Sequence, residues 1–133
     1  MKLVYFNGRG MAETSRLLFA AGGVEYEDFR YPLEIIDMKT YKFNRDEFDN
    51  DKNNGILSKS MGKVPFLIVN DKTISQSKAI ERYLANKFDM MGDNDDEHAL
   101  IDSYCEYLRD FKNAYQKSKN NDETDKWFTE TLP

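Results

Sequence analysis

Two stretches of this chain carry residue types that could hold a small ligand. They are Gly62-Lys63-Val64-Pro65-Phe66-Leu67 and, further on, Ser75-Gln76-Ser77-Lys78-Ala79-Ile80. A proline at the mouth of a strand suits a cis peptide bond, and it leaves the backbone of the preceding Val64 free to pair outside the sheet. A helix opening after Gln76 offers N–H groups with no intrahelical partner, which suit a carboxylate. Together the two stretches read as a clamp for a small, extended, anionic peptide. Val64 would exchange backbone hydrogen bonds in the manner of strand addition, with Lys63 at one terminal carboxylate and Gln76 and Ser77 at the other. Plainer uses stand beside these: Lys63 as an exposed lysine before an ordinary strand, and Ser77 as a simple N-cap.

Three further residues could take part. Tyr5 stands near the end of the first apolar run, just before the turn cluster Asn7-Gly8-Arg9-Gly10. A phenol there could donate to a thiolate and stabilise the charged form, or it could be a core aromatic, and alternation does not separate the two. Asp102 interrupts a partly apolar helix face, as an acceptor for an ammonium group or as a solvated carboxylate. Cys105 lies on an apolar stripe and is expected in the core rather than as a nucleophile. There is no Cys-x-x-Cys, so disulfide exchange is excluded, and one histidine and one cysteine exclude most soft-metal sites.

These residues need a scaffold, and the elements that would supply it follow from pattern. Leu3 to Phe6 reads as a strand, Met11 to Ala21 as a helix with Leu17, Leu18 and Ala21 on one face, and Val24 to Tyr31 as a weaker strand. Residues 37 to 61 are rich in Lys, Asp and Asn and read as a mobile excursion with one or two short helical turns. Phe66 to Val69 is a strand, Asn70-Asp71-Lys72 a hairpin turn, and Thr73 to Ser75 the returning strand. From Ser77 the spacing of Ile80, Tyr83, Leu84 and Phe88 gives a helix. After a linker, Asp93 to Glu97 caps a long helix with the stripe Ile101, Tyr104, Cys105, Leu108, Phe111 and Tyr115. The order β-α-β, polar excursion, β-β-α, then helices alone, is α/β. It is a thioredoxin-like N-terminal domain over residues 1–92, followed by the start of an all-α domain over 93–133.

Composition narrows the function classes. The chain has 133 residues, 40% of them apolar and 14% aromatic, enough for a packed core. A net charge of −5 and a pI near 4.9 argue against nucleic acid or an anionic membrane as partner. No apolar run reaches transmembrane length, Met1 to Phe6 reads as a strand rather than a leader, and the single cysteine makes a reducing compartment the expectation. The expected location is cytoplasmic.

The run Val4-Tyr5-Phe6-Asn7-Gly8-Arg9-Gly10-Met11-Ala12-Glu13, then Arg16 to Ala20 and Tyr26-Glu27-Asp28, resembles the start of a cytosolic glutathione S-transferase of the tyrosine type, alpha- or sigma-like. The two clamp stretches resemble the same family's glutathione-site motifs. Ala99 to Ser103 and Leu108 to Phe111 are similar to the first helix of its helical domain. The resemblance implies conjugation of reduced glutathione to hydrophobic electrophiles, with a non-catalytic glutathione-binding module or a glutathione-dependent isomerase as alternatives. It implies glutathione as co-substrate, no metal and no other cofactor, and a homodimer. Tyr5 would donate to the glutathione thiolate and Val64 would pair with the cysteinyl backbone beside cis Pro65. Lys63 would lie near the glycyl end, and Gln76 and Ser77 would hold the γ-glutamyl group. Asp102 would reach glutathione across the dimer, and Phe48 and Lys52 are the best candidates for the contacts that the excursion supplies.

Two departures from the family pattern shape the expectation. Met11 stands where the family often carries an arginine, so thiol activation is expected to be weaker. Family members also continue through several more helices that wall the electrophile pocket, so the chain is expected to be truncated within the helical domain. The glutathione half would be present, and the α-helical stripe would lack its usual partners.

Overall fold

The computed structural model describes residues 1–37, 40, 42–120 and 124–131. It divides into two units, Met1–Met90 and Met91–Pro133. The first unit is built on β1 (Lys2–Phe6), β2 (Glu27–Tyr31), β5 (Phe66–Val69) and β6 (Lys72–Ser75), in the order β2-β1-β5-β6. β1 and β2 are parallel and joined through α1 (Glu13–Ala21), while β5 and β6 are antiparallel to their neighbours. α3 (Ser77–Lys87) closes the βαβ–ββα thioredoxin-like arrangement.

Strand period 2 sends alternate residues of β1 into two cores. Leu3 joins Ala12, Phe19, Leu67, Ile80 and Leu84 under α1 and α3, with Tyr5 packed at its margin. Val4 joins Tyr31, Phe48, Leu57 and Phe66 on the opposite face. The second core is aromatic: Phe48 meets Phe6 edge-on at 5.0 Å and Tyr31 at 5.6 Å between ring centroids. In the first, Phe19 is fully buried and stacks on Tyr26 at 3.8 Å.

That stacking decides which face of α1 turns inward. The buried residues are Ser15, Arg16 and Phe19, whereas Leu17 is 62% exposed and Ala21 is exposed. The expected Leu17–Leu18–Ala21 face is therefore corrected by nearly half a turn, about 160° at 3.6 residues per turn, with only Leu18 of the three packed against the core.

The excursion is more ordered than its composition suggests. β3 (Glu34–Asp37) and β4 (Lys42–Asn44) form an antiparallel hairpin in which Ile35 faces Phe43. Such a cross-strand apolar pair can stabilise a ribbon whose other residues, Ile36 apart, are polar. α2 (Asp46–Asn53) follows, with Asp46, Glu47 and Asp49 in its first turn, where the helix dipole favours them.

In the second unit, α4 (Asp95–Asn120) is capped reciprocally. The Glu97 N–H donates to Asn94 Oδ1 at 3.0 Å, and the Asp93 N–H donates to Glu97 Oε2 at 2.8 Å. A helical turn over Thr124–Lys126 widens into a π turn over Trp127–Thr131. It sets the buried Trp127 edge-on to Phe111 at 5.0 Å and Tyr115 at 5.2 Å. Farther toward the α4 N-terminus, Tyr104 and Leu108 are 65% and 70% exposed. Cys105 shares that exposure and is not a core residue, because among the described residues the segment that packs on α4 reaches only its C-terminal turns.

The Tyr31 hydroxyl donates to Asp51 Oδ2 at 2.7 Å, tying the aromatic core to α2. Burial first, then this hydrogen bond and the Asp51 charge, push ionisation of Tyr31 well above its ordinary value of 10.0. Folding thus favours the neutral phenol. The resulting stability is complete below about pH 10, the unfolded value. It is lost as pH rises from there toward the folded value. Tyr31→Phe is expected to lower unfolding free energy by about 1 kcal/mol at neutral pH and to flatten the alkaline decline, as read by urea unfolding at neutral pH and above pH 10.

Candidate functional site

Register places the candidate residues in one row. Val4 pairs with Phe66 and Phe66 with Ser75. One residue further along each strand stand Tyr5, Pro65 and Gln76, side by side at the same end of the sheet. The Val64–Pro65 peptide is cis, and Pro65 is buried while Val64 is half-buried. Among the described residues, neither the Val64 N–H nor its C=O takes a backbone partner. β5 begins only at Phe66, so this backbone is left at the sheet end beside Tyr5 and Gln76.

Gln76 turns the chain from β6 into α3 with φ +72° and ψ +120°. It is exposed, and it is the residue at the helix cap, without a side-chain capping bond. Ser77 is therefore the first residue of the helix rather than its cap, which removes the simpler of its two uses. The Gln76 carbonyl accepts the Ile80 N–H at 3.0 Å. The N–H groups of Ser77, Lys78 and Ala79 precede that first bond and have no intrahelical acceptor, so they mark the positive end of an eleven-residue helix.

Tyr5 points to the α1 side of the sheet. Its hydroxyl accepts the Met11 N–H at 3.2 Å, and its own proton has no acceptor among the described residues. Gly10 makes this approach possible. It has φ +44°, and a Cβ there would come within 2.6 Å of the Tyr5 hydroxyl. A residue with a side chain would be strained and would push the phenol away.

The turn between Tyr5 and Met11 is held by a residue that residue-type reasoning passes over. Arg16 is 9% exposed, and its Nη1 donates to the Gly8 carbonyl at 2.6 Å. Its Nε donates to Asp28 Oδ2 at 3.1 Å, and Glu13 lies 3.3 Å from Nη1. A buried guanidinium is tolerated only when paired and hydrogen-bonded, as this one is. The signal in the sequence is Ala12, Arg16 and Phe19 at i, i+4 and i+7, a charged residue on what proves to be the buried face.

The remaining candidates separate. Lys52 is exposed, and its stem lies over Gly62, where a Cβ would meet Lys52 Cε at 3.3 Å. That brings Lys52 to the segment carrying the exposed Lys63 and Val64. Phe48 is 4% exposed and belongs to the aromatic core, so the expectation that its ring contacts a ligand is corrected. Its helical spacing in α2 turns it toward Phe6 and Tyr31 instead. Asp102 stands half-buried on α4 in the second unit and is not a free carboxylate.

A cavity of about 490 Å³ opens on the other face of the sheet, over Val4, Phe29, Phe66 and Ile68. None of Tyr5, Lys63, Val64, Gln76 or Ser77 lines it. Two polar groups at its wall, the Tyr31 hydroxyl and Asp51, already satisfy each other. The row at the sheet end instead keeps, among the described residues, a Val64 backbone without a backbone partner and a Tyr5 proton without an acceptor.

Residues 1–86 match the family model described as "Glutathione S-transferase, N-terminal domain". The chain is 36% identical over 123 residues to the glutathione S-transferase class-mu 28 kDa isozyme of Schistosoma japonicum, covering 89% of this chain and 52% of the relative. It is 38% identical over 132 residues to the hematopoietic prostaglandin D synthase of Gallus gallus, covering 98% and 58%. Among solved structures, a monomeric glutathione S-transferase of the hookworm Necator americanus superposes with a TM-score of 0.71 at 37% identity, over 87% of this chain and 49% of that one. The chain spans about half the length of the curated relatives it matches.

Gln76 carries a testable cost. A side chain at φ +72° sits in a region that L residues avoid. Gln76→Gly is expected to raise unfolding free energy by up to about 1 kcal/mol, measured by chemical denaturation, while weakening any ligand that the glutamine side chain holds. A loss of stability in this variant would show that the side chain is needed for folding.

Proposed function

The chain belongs to the glutathione S-transferase family, and from that membership we propose that it binds reduced glutathione along the row Tyr5–Pro65–Gln76 and conjugates it to hydrophobic electrophiles. The observation that supports this most directly is the alignment of three unlike groups at one sheet end: a phenol proton without an acceptor and a Val64 backbone without a backbone partner among the described residues, and a helix N-terminus. The cysteinyl backbone of glutathione pairs with Val64, the γ-glutamyl carboxylate lies at Gln76 and Ser77, and the glycyl carboxylate lies near Lys52 and Lys63. Tyr5 donates its proton in a hydrogen bond to the sulfur and stabilises the thiolate by about 1–3 kcal/mol, the scale of a charge-assisted bond. The thiol proton passes to solvent, the thiolate attacks an electrophilic carbon, a C–S bond forms, and the leaving group departs with its electron pair. No metal or redox cofactor enters this scheme.

The working protein is proposed to be a cytoplasmic homodimer in which Asp102 of each chain reaches the glutathione of the other. A second reading, a glutathione-dependent isomerase, draws support from the similarity to a prostaglandin D synthase over 98% of this chain. It differs in one observable: an isomerase returns glutathione unconsumed.

Calorimetric titration of glutathione into the wild type is expected to give saturable heat, with Ser77→Ala weakened about tenfold, the effect of losing about 1.4 kcal/mol of hydrogen bonding. Equal affinity in both proteins would remove Ser77 from the site, and no heat in the wild type would remove the site. With an aryl halide, Tyr5→Phe is expected to lower kcat about tenfold to a hundredfold. An unchanged rate would reject the role of the phenol.

A further inference from the structure

The turn Asn7–Gly10 leads from Tyr5 to the N–H that touches its hydroxyl, yet it makes few bonds of its own. The Asn7 N–H donates to the Tyr31 carbonyl and the Gly8 N–H to the Phe6 carbonyl, both at 2.8 Å. Two of its carbonyls, with that of the preceding Phe6, are gathered by one side chain. Arg16 donates to the Gly8 carbonyl at 2.6 Å, and it approaches those of Arg9 and Phe6 at 3.5 Å. A guanidinium is a rigid planar fork, so whatever fixes its plane also fixes the positions of the carbonyls it holds. Here the plane is fixed by Asp28, whose two oxygens accept from Arg16 Nε at 3.1 and 3.4 Å. Asp28 is itself held by Arg30, at 2.6 and 2.8 Å.

We propose that Arg16, oriented by Asp28, is a positioning residue that sets how strongly Tyr5 stabilises the glutathione thiolate. It acts by holding the Met11 N–H on the phenol oxygen. The turn ends at Gly10, packed against the Tyr5 ring, and the next amide is the one that donates to the hydroxyl at 3.2 Å. A hydrogen bond accepted by a hydroxyl oxygen polarises its O–H and makes it a stronger donor. The chain of contacts is therefore continuous: Asp28 to Arg16, Arg16 to the turn carbonyls, the turn to Gly10 and Met11, and Met11 to the phenol. Arg16 needs no contact with glutathione to act in this way. This inference rests on the transferase reading above.

The test compares thiol acidity with binding. In the full chain, the pKa of the bound glutathione thiol is read from its ultraviolet thiolate absorbance, and affinity for S-methylglutathione, which has no thiol proton, is read by calorimetry. Asp28→Asn and Arg16→Lys are expected to raise the bound thiol pKa by about one unit, about tenfold less thiolate near neutrality. Affinity for S-methylglutathione should be unchanged. Gly10→Ala, which disturbs the same contact from the other side, is expected to do likewise. In a Tyr5→Phe background, Asp28→Asn is expected to add nothing, because the group it positions is absent. A variant that folds with unaltered thiol acidity overturns the proposal, and so does an Asp28→Asn shift that persists without the Tyr5 hydroxyl. Should Arg16→Lys fail to fold, Asp28→Asn decides alone. A wild type that binds neither glutathione nor S-methylglutathione overturns the transferase reading and this inference together. A wild type that binds and lowers the thiol pKa, with variants that match it, overturns this inference only.

Discussion

Leu3 and Val4 are neighbours on β1, and each is buried in a different core, at 0% and 2% exposure. A slip by one residue would exchange Leu3 and Tyr5 with Val4 and Phe6 between two close-packed cores whose cavities differ in shape, so the register is fixed. The register it imposes on β5, and β5 on β6, is what sets Tyr5 beside Pro65 and Pro65 beside Gln76. Pro65 and Gln76 are brought together locally, as the two ends of the β5–β6 hairpin, whereas Tyr5 is remote in the chain and reaches them only through the β1–β5 pairing. Hydrophobic burial in the middle of the sheet thus does the alignment, and the end of the sheet is left open for hydrogen-bonding groups.

Arg16 shows the same division at a finer scale. Placing a guanidinium on the buried face of α1 carries a desolvation penalty of several kcal/mol. Contacts with Asp28, Glu13 and the turn carbonyls offset it. An apolar residue at this position would pack the helix without that penalty, but it would leave the carbonyls of the Tyr5 turn unheld. The arrangement couples the packing of α1 to the shape of a loop that hydrophobic contacts alone do not specify.

What the sequence reveals follows from whether the constraint is local. The strand at Phe66 to Val69, the turn after it and the helix from Ser77 are legible because turn residues, strand formers and apolar spacing agree there. The β3–β4 hairpin is not, since one apolar pair, Ile35 with Phe43, carries its register among charged residues. The inward face of α1 is hidden for a different reason. Leu17 looks like the buried residue and Arg16 like the exposed one, and the observed order rests on partners outside the helix, Tyr26 for Phe19 and Asp28 with the Gly8 carbonyl for Arg16. The candidate row was legible as residue types, while its alignment needed the sheet. Phe48 illustrates the limit: an aromatic in a polar stretch suggests a contact surface, yet partners on β1 and β2 bury it.

Backbone strain distinguishes the two ends of the β5–β6 hairpin. At the turn, Asn70 has φ +53°, and asparagine is among the residues best suited to that conformation. At the far end, Gln76 has φ +72°, a position that glycine would fill with less strain. Hairpin formation requires the first and does not require the second, because β6 could end and α3 begin through an unstrained cap. The long polar side chain at Gln76 is therefore unfavourable locally and stands in the same row as Tyr5 and Pro65. The strain is thus held at an exposed polar side chain, beside Val64 groups that take no backbone partner among the described residues and beside a helix N-terminus.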